Sequence, residues 1–392
     1  MNPSQEQRAT RPSRDRPSWN SLSALRREWP LVASFITSAL FLVLGPIWLA
    51  DLSNPFWVTF LVAWLFAVIV LSAFAMVRHG ESLAFKLGEP RGTLIMTLAA
   101  TGIEVLMISA FMFNRHEDAS PFARDAMFAV VMIVLNGLVG VSLLVGGLRY
   151  HEQSYNLQGA NTFLAVIVPL SVLGMVLPNF TVSASGPTYS PLQAIFLIVM
   201  STGLYGVFLA VQTSSHRDYF MAPDDAGGLH GEGAVGHGND EVGSVRYHAP
   251  LLLLYLLPMV VLSKQFAVPV DHAIDVSHAP PALGGLIVSA IVLFPESLGA
   301  TRAALANHLQ RSVNILMGLV LADISLTIPA VLIIGFITGQ GVILGLDAVD
   351  TTMLLLTLGL STLTFASART NMLHGAVHLL LFLAYLMLIF EK

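Results

Sequence analysis

Cysteine is absent from the 392-residue chain, and only 11% of its residues are Asp, Glu, Lys or Arg. The first absence excludes disulfides, thiolate metal sites and cysteine nucleophiles. The second is too low for a soluble domain, which carries about a quarter of its residues charged. No basic cluster marks a nucleic-acid surface, and the chain has neither a GxSxG nor a metal-hydrolase pattern, so nothing points to an enzyme. What it has is apolar length. Hydrophobic residues make up 55% of the chain, the mean hydropathy is +0.73, and the apolar runs reach the roughly 18 residues that a bilayer span requires. The chain reads as an all-α polytopic membrane protein whose surroundings are a lipid bilayer.

Eleven transmembrane helices are expected, at 31–50, 56–77, 92–113, 125–148, 160–178, 190–212, 249–265, 282–303, 311–338, 351–366 and 371–390. Residues 1–30 are polar and arginine-rich, unlike a short signal peptide, and read as a disordered cytosolic tail. Alternating the connections between two sides puts fifteen of the nineteen Lys and Arg residues on the N-terminal side. By the positive-inside bias the N-terminus is then cytosolic and the C-terminus outside. Segment 213–248 becomes a cytosolic linker. Its His216, His230, His237 and His248, with Asp224, Asp225, Asp240 and Glu241, form a candidate pH- or cation-sensing set, set against the simpler reading of a solvated linker.

Three acids fall well inside the spans: Glu104, Glu296 and Asp323. A carboxylate at a helix centre costs about 2.5–3.5 kcal/mol on insertion scales, so each is a functional candidate against the alternative of a protonated, hydrogen-bonded packing group. Gly102 precedes Glu104 by two residues and Pro295 immediately precedes Glu296. Proline removes a backbone donor, so the span around Glu296 is expected to kink or break there and release carbonyls beside the acid, with Ser297 next to it. Such oxygens suit a hard cation.

The two glutamates lie five spans apart. Five helices per unit, 56–212 and 249–390, would put the units in opposite orientations, with the helix at 31–50 as an addition. In the following helix of each unit VGVSLLVGG sets against ADISLTIPA, pairing Ser142 with Ser325 and Gly140 with Asp323. Asn136 and Asn314 offer neutral oxygens near the site, against packing hydrogen bonds between helices. His374 and His378 share a helix face and read as core histidines or proton relays more readily than as zinc ligands, since no HExxH accompanies them. Two carboxylates at one site hold a divalent cation or protons in competition, which is the chemistry of exchange. A cation channel is the alternative; it would show acidic rings or a carbonyl filter, and the sequence has no such motif.

The runs HGESLAFKLGEPRGTLIMTL, GLVGVSLLVGG, YGVFLAVQTSSHRDYF, FPESLGATRAALANHLQRSVN, ISLTIPAVLIIGFITG and RTNMLHGAVHLLLFLAYLMLIFEK resemble the ChaA-type bacterial calcium/proton and sodium/proton antiporters of the cation/calcium exchanger superfamily. The resemblance covers about residues 78–392. It implies eleven helices in the bacterial inner membrane, inverted five-helix repeats, and a glutamate in each repeat that binds the transported cation and protons. These glutamates fall on Glu104 and Glu296. The segments ATGIE and LFPE lack the asparagine of the superfamily's GNxxE, which leaves calcium, sodium and potassium open as the cation. No cofactor is implied, and the oligomeric state is not.

Overall fold

In lipid, backbone polar groups must be satisfied within the segment, so a chain this apolar crosses as helices. The computed structural model describes residues 28–87, 99, 101–110, 119–222, 245–339 and 341–391. Among them, nine helices are long and apolar enough to cross a membrane, and two more, Thr101–Ala110 and Ala348–Thr364, are apolar but shorter. In chain order the elements are α1 (Trp29–Trp48), α2 (Pro55–Leu87), α3 (Thr101–Ala110), α4 (Ala119–Val131), a π-helical segment (Met132–Leu138), α5 (Val139–Tyr150), β1 (Glu152–Ser154), α6 (Leu157–Met175) and α7 (Pro191–Ala210). There follow α8 (Val245–Val276), α9 (Ala282–Leu305), α10 (Leu309–Ala322), a second mid-span π segment (Asp323–Thr327), α11 (Ile328–Thr338), α12 (Ala348–Thr364), β2 (Arg369–Asn371) and α13 (Met372–Phe390). Every expected span has its helix.

Of the three π segments among the described residues, Val211–Ser215 closes α7, and the other two interrupt spans internally: Pro121–Tyr150 holds α4 and α5, and Leu309–Thr338 holds α10 and α11. A π segment carries one residue more per turn than the α pattern, which misaligns carbonyls and amides in mid-helix. These segments, and not Pro295, interrupt the α-helical pattern. Helix α9 runs continuously from Ala282 to Leu305 with Pro295 inside it, contrary to the expected break. Neighbouring helices tolerate proline at this depth because only one backbone bond is lost.

Helix α8 is also longer than the expected 249–265. It continues through Lys264 and contains Pro250, Pro258 and Pro269. The expected linker 213–248 is correspondingly shorter in the structure: helical turns run to Ser215, a 3-10 turn occupies Arg217–Phe220, and α8 begins at Val245. Among the sensing candidates, His216 stacks on Tyr219 at 4.8 Å and is exposed. His248 is buried within α8, while His230, His237, Asp224, Asp225, Asp240 and Glu241 lie outside the described residues.

Helix ends are set by local chemistry. Asn156, Ser190, Asp347 and Asn371 cap α6, α7, α12 and α13 by accepting backbone N–H groups of the first turn, and Ser190 forms a capping box with Gln193. β1 pairs antiparallel with β2, tying the α5–α6 turn to the α12–α13 turn. Helices α5 and α13 cross at backbone contact. A Cβ on Gly375 would stand 2.4 Å from Leu144 N, and one on Gly140 would stand 2.9 Å from Leu379 N, so neither position has room for a side chain.

Candidate functional site

Glu104 lies on α3 and is 6% exposed. Thr327, the last residue of the second π segment, donates its hydroxyl to Glu104 Oε2 at 3.5 Å. Among the described residues Glu104 Oε1 has no donor. Asp323, which opens the same π segment, is 2% exposed and stands close enough to Glu104 for the two carboxyls to interact directly. Neither Asp323 oxygen has a donor among the described residues, and Ser325 between them has an unpartnered, buried hydroxyl. Two carboxyl groups have no hydrogen to offer each other unless a proton stands between them. The pair is therefore a place for a shared proton or for a cation.

Glu296 lies on α9, 7% exposed, with Oε2 lacking a donor among the described residues. It stands within electrostatic reach of Glu104 and of Glu81, an exposed acid on α2. Among the described residues no three His, Asp or Glu side chains are grouped closely enough to hold a metal ion. Glu296 is thus an electrostatic neighbour of Glu104 and does not close a three-residue cage among the described residues. Glu81 was missed from the sequence because it sits in the charged end of a span, where an acid calls for no special explanation.

The other candidates divide. Among the described residues nothing lies within 4 Å of where a Cβ on Gly102 would stand. Ser297 returns its hydroxyl to the Phe294 carbonyl at 2.7 Å, within its own helix. Ser142 on α5 is buried with an unpartnered hydroxyl. Asn314 is committed elsewhere: it accepts from Gln310 at 2.9 Å and donates to the Phe220 carbonyl at 2.8 Å, joining α10 to the turn after α7.

Asn136, in the first π segment, is committed to a network with α12 and α13. Its Nδ2 donates to Thr357 at 2.7 Å, and its Oδ1 lies 3.3 Å from His378 Nδ1. His378 also reaches the Leu135 carbonyl, and its Nε2 is 3.0 Å from the Thr364 hydroxyl. Since Nδ1 faces acceptors, Nδ1 carries the hydrogen and Nε2 accepts from Thr364. His378 is a satisfied core histidine, whereas His374 is half-buried with an unpartnered Nδ1 among the described residues.

The two halves of the short sequence match sit differently in the helices. The first π segment opens nearly as far past Glu104 as the second does past Glu296. Gly140 packs against α13, and Ser142 lies past the first π segment, whereas Asp323 and Ser325 lie within the second.

Comparison with known proteins gives consistent results. The profile of the family described as sodium/calcium exchanger protein matches residues 57–214 and 248–391. The sodium-potassium/proton antiporter ChaA of Escherichia coli (strain K12) is 39% identical over 325 residues, which cover 82% of this chain and 86% of that protein. The solved structure of native YfkE superposes with a TM-score of 0.69 at 17% identity, covering 93% of this chain and 100% of that one. The crystal structure of the H+/Ca2+ exchanger CAX gives 0.64 at 16% identity, covering 92% and 88%. At these identities the two structures speak for the fold.

Proposed function

The chain belongs to the sodium/calcium exchanger protein family, a family of membrane transporters, and we propose that it exchanges a cytosolic cation for protons by alternating access. It is a multi-pass cation/proton antiporter and resembles bacterial antiporters. The observation that carries the reading is the buried Glu104–Asp323 contact, with oxygens that lack donors and Glu296 within electrostatic reach. Carboxyls so close cannot all ionise without a counter-charge. A proton or a cation supplies it, and each displaces the other. Glu104 and Glu296 are the principal cation and proton ligands in this reading. Asp323 is the third acid, and Ser325 and Thr327 add neutral oxygens of the kind hard cations take. Cation arrival draws Glu296 toward the pair, and the protons that leave are those the carboxyls held.

The cations proposed are Ca2+, Na+ and K+. The name of the 39% relative favours Na+ and K+. The repeat units proposed are 56–212 and 249–390, in opposite orientations, with α1 as an addition and the tail, the 213–248 linker and the N-terminus on the cytosolic side of a bacterial inner membrane. A mid-span π segment in each unit, at a nearly matching distance from its glutamate, supports that arrangement.

The experiment is proton movement driven by Ca2+, Na+ or K+ in inverted vesicles, with the parent, Glu104→Gln and Glu296→Gln. Glutamine keeps size and hydrogen bonding while removing the charge. Both variants are expected to insert normally and to lose cation-driven proton movement. Normal exchange in both would refute the mechanism, and cation flux without proton movement in the parent would make the protein a channel.

A further inference from the structure

Apart from the carboxyls, the described residues hold a second buried group of titratable side chains that exchange does not use. It lies where α1 begins, α2 ends and α8 begins. Glu28, just before α1, is 8% exposed. It accepts from Arg78 at 2.9 and 3.0 Å, from His79 Nε2 at 3.1 Å, and from the Tyr247 and Tyr255 hydroxyls, each at 3.0 Å. Burial alone would raise its pKa. The His79 hydrogen bond, the charges of His79 and Arg78, and the Tyr255 hydroxyl outweigh burial and hold it at about 2. Glu28 is therefore a standing negative charge at physiological pH.

That charge fixes the neighbouring ring. His79 Nε2 faces an oxygen that only accepts, so Nε2 carries a hydrogen. On the other side His79 Nδ1 lies 2.8 Å from His248 Nδ1, at the start of α8. One of these nitrogens must donate and the other accept. Both rings neutral satisfies that requirement, with His248 donating. One extra proton also satisfies it, with His79 donating. With both rings charged every nitrogen bears a hydrogen, the bond is lost, and two like charges stand at contact distance.

We propose that His79 and His248 form a proton-binding site, separate from the carboxylate site, and that a proton on each ring releases the start of α8 from α1 and α2. The groups facing the pair are Glu28 from the start of α1, Arg78 and Lys86 from α2, and Tyr247 and Tyr255 from α8. Glu28 compensates one charged ring. Arg78 and Lys86 oppose a second. His248 Nε2 has no partner among the described residues, so opening is what lets that nitrogen reach water. α2 and α8 pack along each other for much of their length, and the histidine contact pins that pair at one end. Loss of the pin loosens the two helices as a unit and slows exchange in acid.

The test is nitrogen NMR of the full chain, labelled at histidine and held in lipid nanodiscs. At about pH 8 a coupling across the Nδ1–Nδ1 hydrogen bond is expected, absent from His79→Gln and from His248→Gln. Burial, with the charges of His79, Lys86 and Arg78, holds His248 at about 4, so the coupling is expected to survive a single proton on the pair and to vanish at about pH 3, where His248 is cationic as well. A coupling that persists at about pH 3, or that is missing at pH 8, overturns the proposal. This readout needs no transport, so it stands or falls apart from the exchange mechanism. For the functional half, the parent's exchange rate is divided by that of His248→Gln, or of His248→Asn should the first variant fail to insert. That ratio is expected to fall at least about threefold from pH 8 to about pH 3.5, below the value of about 4 at which burial and its charged neighbours hold His248, because only the parent has a second ring to charge. A ratio independent of pH overturns the link to exchange.

Discussion

Asp323→Asn isolates the charge of the third acid, because asparagine keeps the shape of the side chain and can still bond to Glu104. Asp323 is buried, lacks donors among the described residues and stands beside the Glu104 carboxyl. At about 4 Å and an effective dielectric of about 20, a unit charge there attracts a monovalent cation by about 4 kcal/mol and a divalent one by about twice that. Protons already held by the carboxyls must leave first, which takes back part of the gain. If a net of about 1.4 kcal/mol per unit of ion charge survives, Asp323→Asn weakens Na+ or K+ half-saturation about tenfold and Ca2+ about a hundredfold. The square relation between the two factors is the test, since it does not depend on the dielectric chosen. Half-saturation of cation-driven proton movement in inverted vesicles measures both. Equal factors for monovalent and divalent cations, or no change in either, would mean that Asp323 is a packing group and that the site is built from the glutamates alone.

Three further outcomes follow from other parts of the molecule. His378→Ala leaves Asn136 Oδ1 and the Thr364 hydroxyl without their partner; each buried orphan costs about 1–3 kcal/mol, so thermal unfolding in detergent should move to lower temperature. Deleting residues 223–244, which spares the Arg217–Phe220 turn and the start of α8, should leave maximal exchange rates within about twofold if the segment is a linker, its composition being too polar for a core. Complete loss of flux in a stably inserted deletion would contradict that. Glu28→Gln removes a carboxylate whose pKa is lowered from 4.5 to about 2, a difference equivalent to roughly 3 kcal/mol. A lowered pKa stabilises the fold fully above about 4.5 and loses that contribution as pH falls toward 2, so the gap in Tm between parent and variant should narrow as pH falls from about 4.5 toward 2.

The helices were legible because lipid demands contiguous apolar residues, and each of the eleven apolar runs supplies them. Where charge interrupts a run, the reading stopped too early. The expected seventh span ended beside Lys264, yet α8 continues past it to Val276 because the lysine is exposed on the helix surface while Phe266, Ala267 and Val270 keep the other face buried. The two glutamates stood out because a carboxylate amid apolar residues is costly wherever it is found. Asp323 stood out for the same reason, but its pairing with Glu104 did not. Asp323 meets Glu104 through packing between α3 and the second π segment, and a π segment leaves no mark in residue type. Pro295 misled for the opposite reason: it is a strong local signal that the surrounding helices overrule. Glu28 and His248 read as part of a tail and a linker, since charged residues flanking a span ordinarily face water. Only the folded arrangement brings His79 between them.

The two mid-span π segments are similarly placed relative to the glutamates, but their polar groups are used in opposite ways. In the first, Asn136 is bonded to Thr357 on α12 and to His378 on α13, and His378 also reaches the Leu135 carbonyl. The groups that a π segment exposes are thereby consumed, and the segment is fixed to its neighbours. In the second, Asp323 and Ser325 keep buried polar atoms without donors among the described residues, and only Thr327 is engaged, by Glu104. A buried polar group left unmade costs about 1–3 kcal/mol. Retaining several together is consistent with a ligand that comes and goes, whereas a purely structural segment gains by bonding them, as the first one does. On this argument the proposed repeats have diverged in role: the unit containing Asn136 supplies a fixed wall, and the unit containing Asp323 supplies the oxygens that a cation and protons contest.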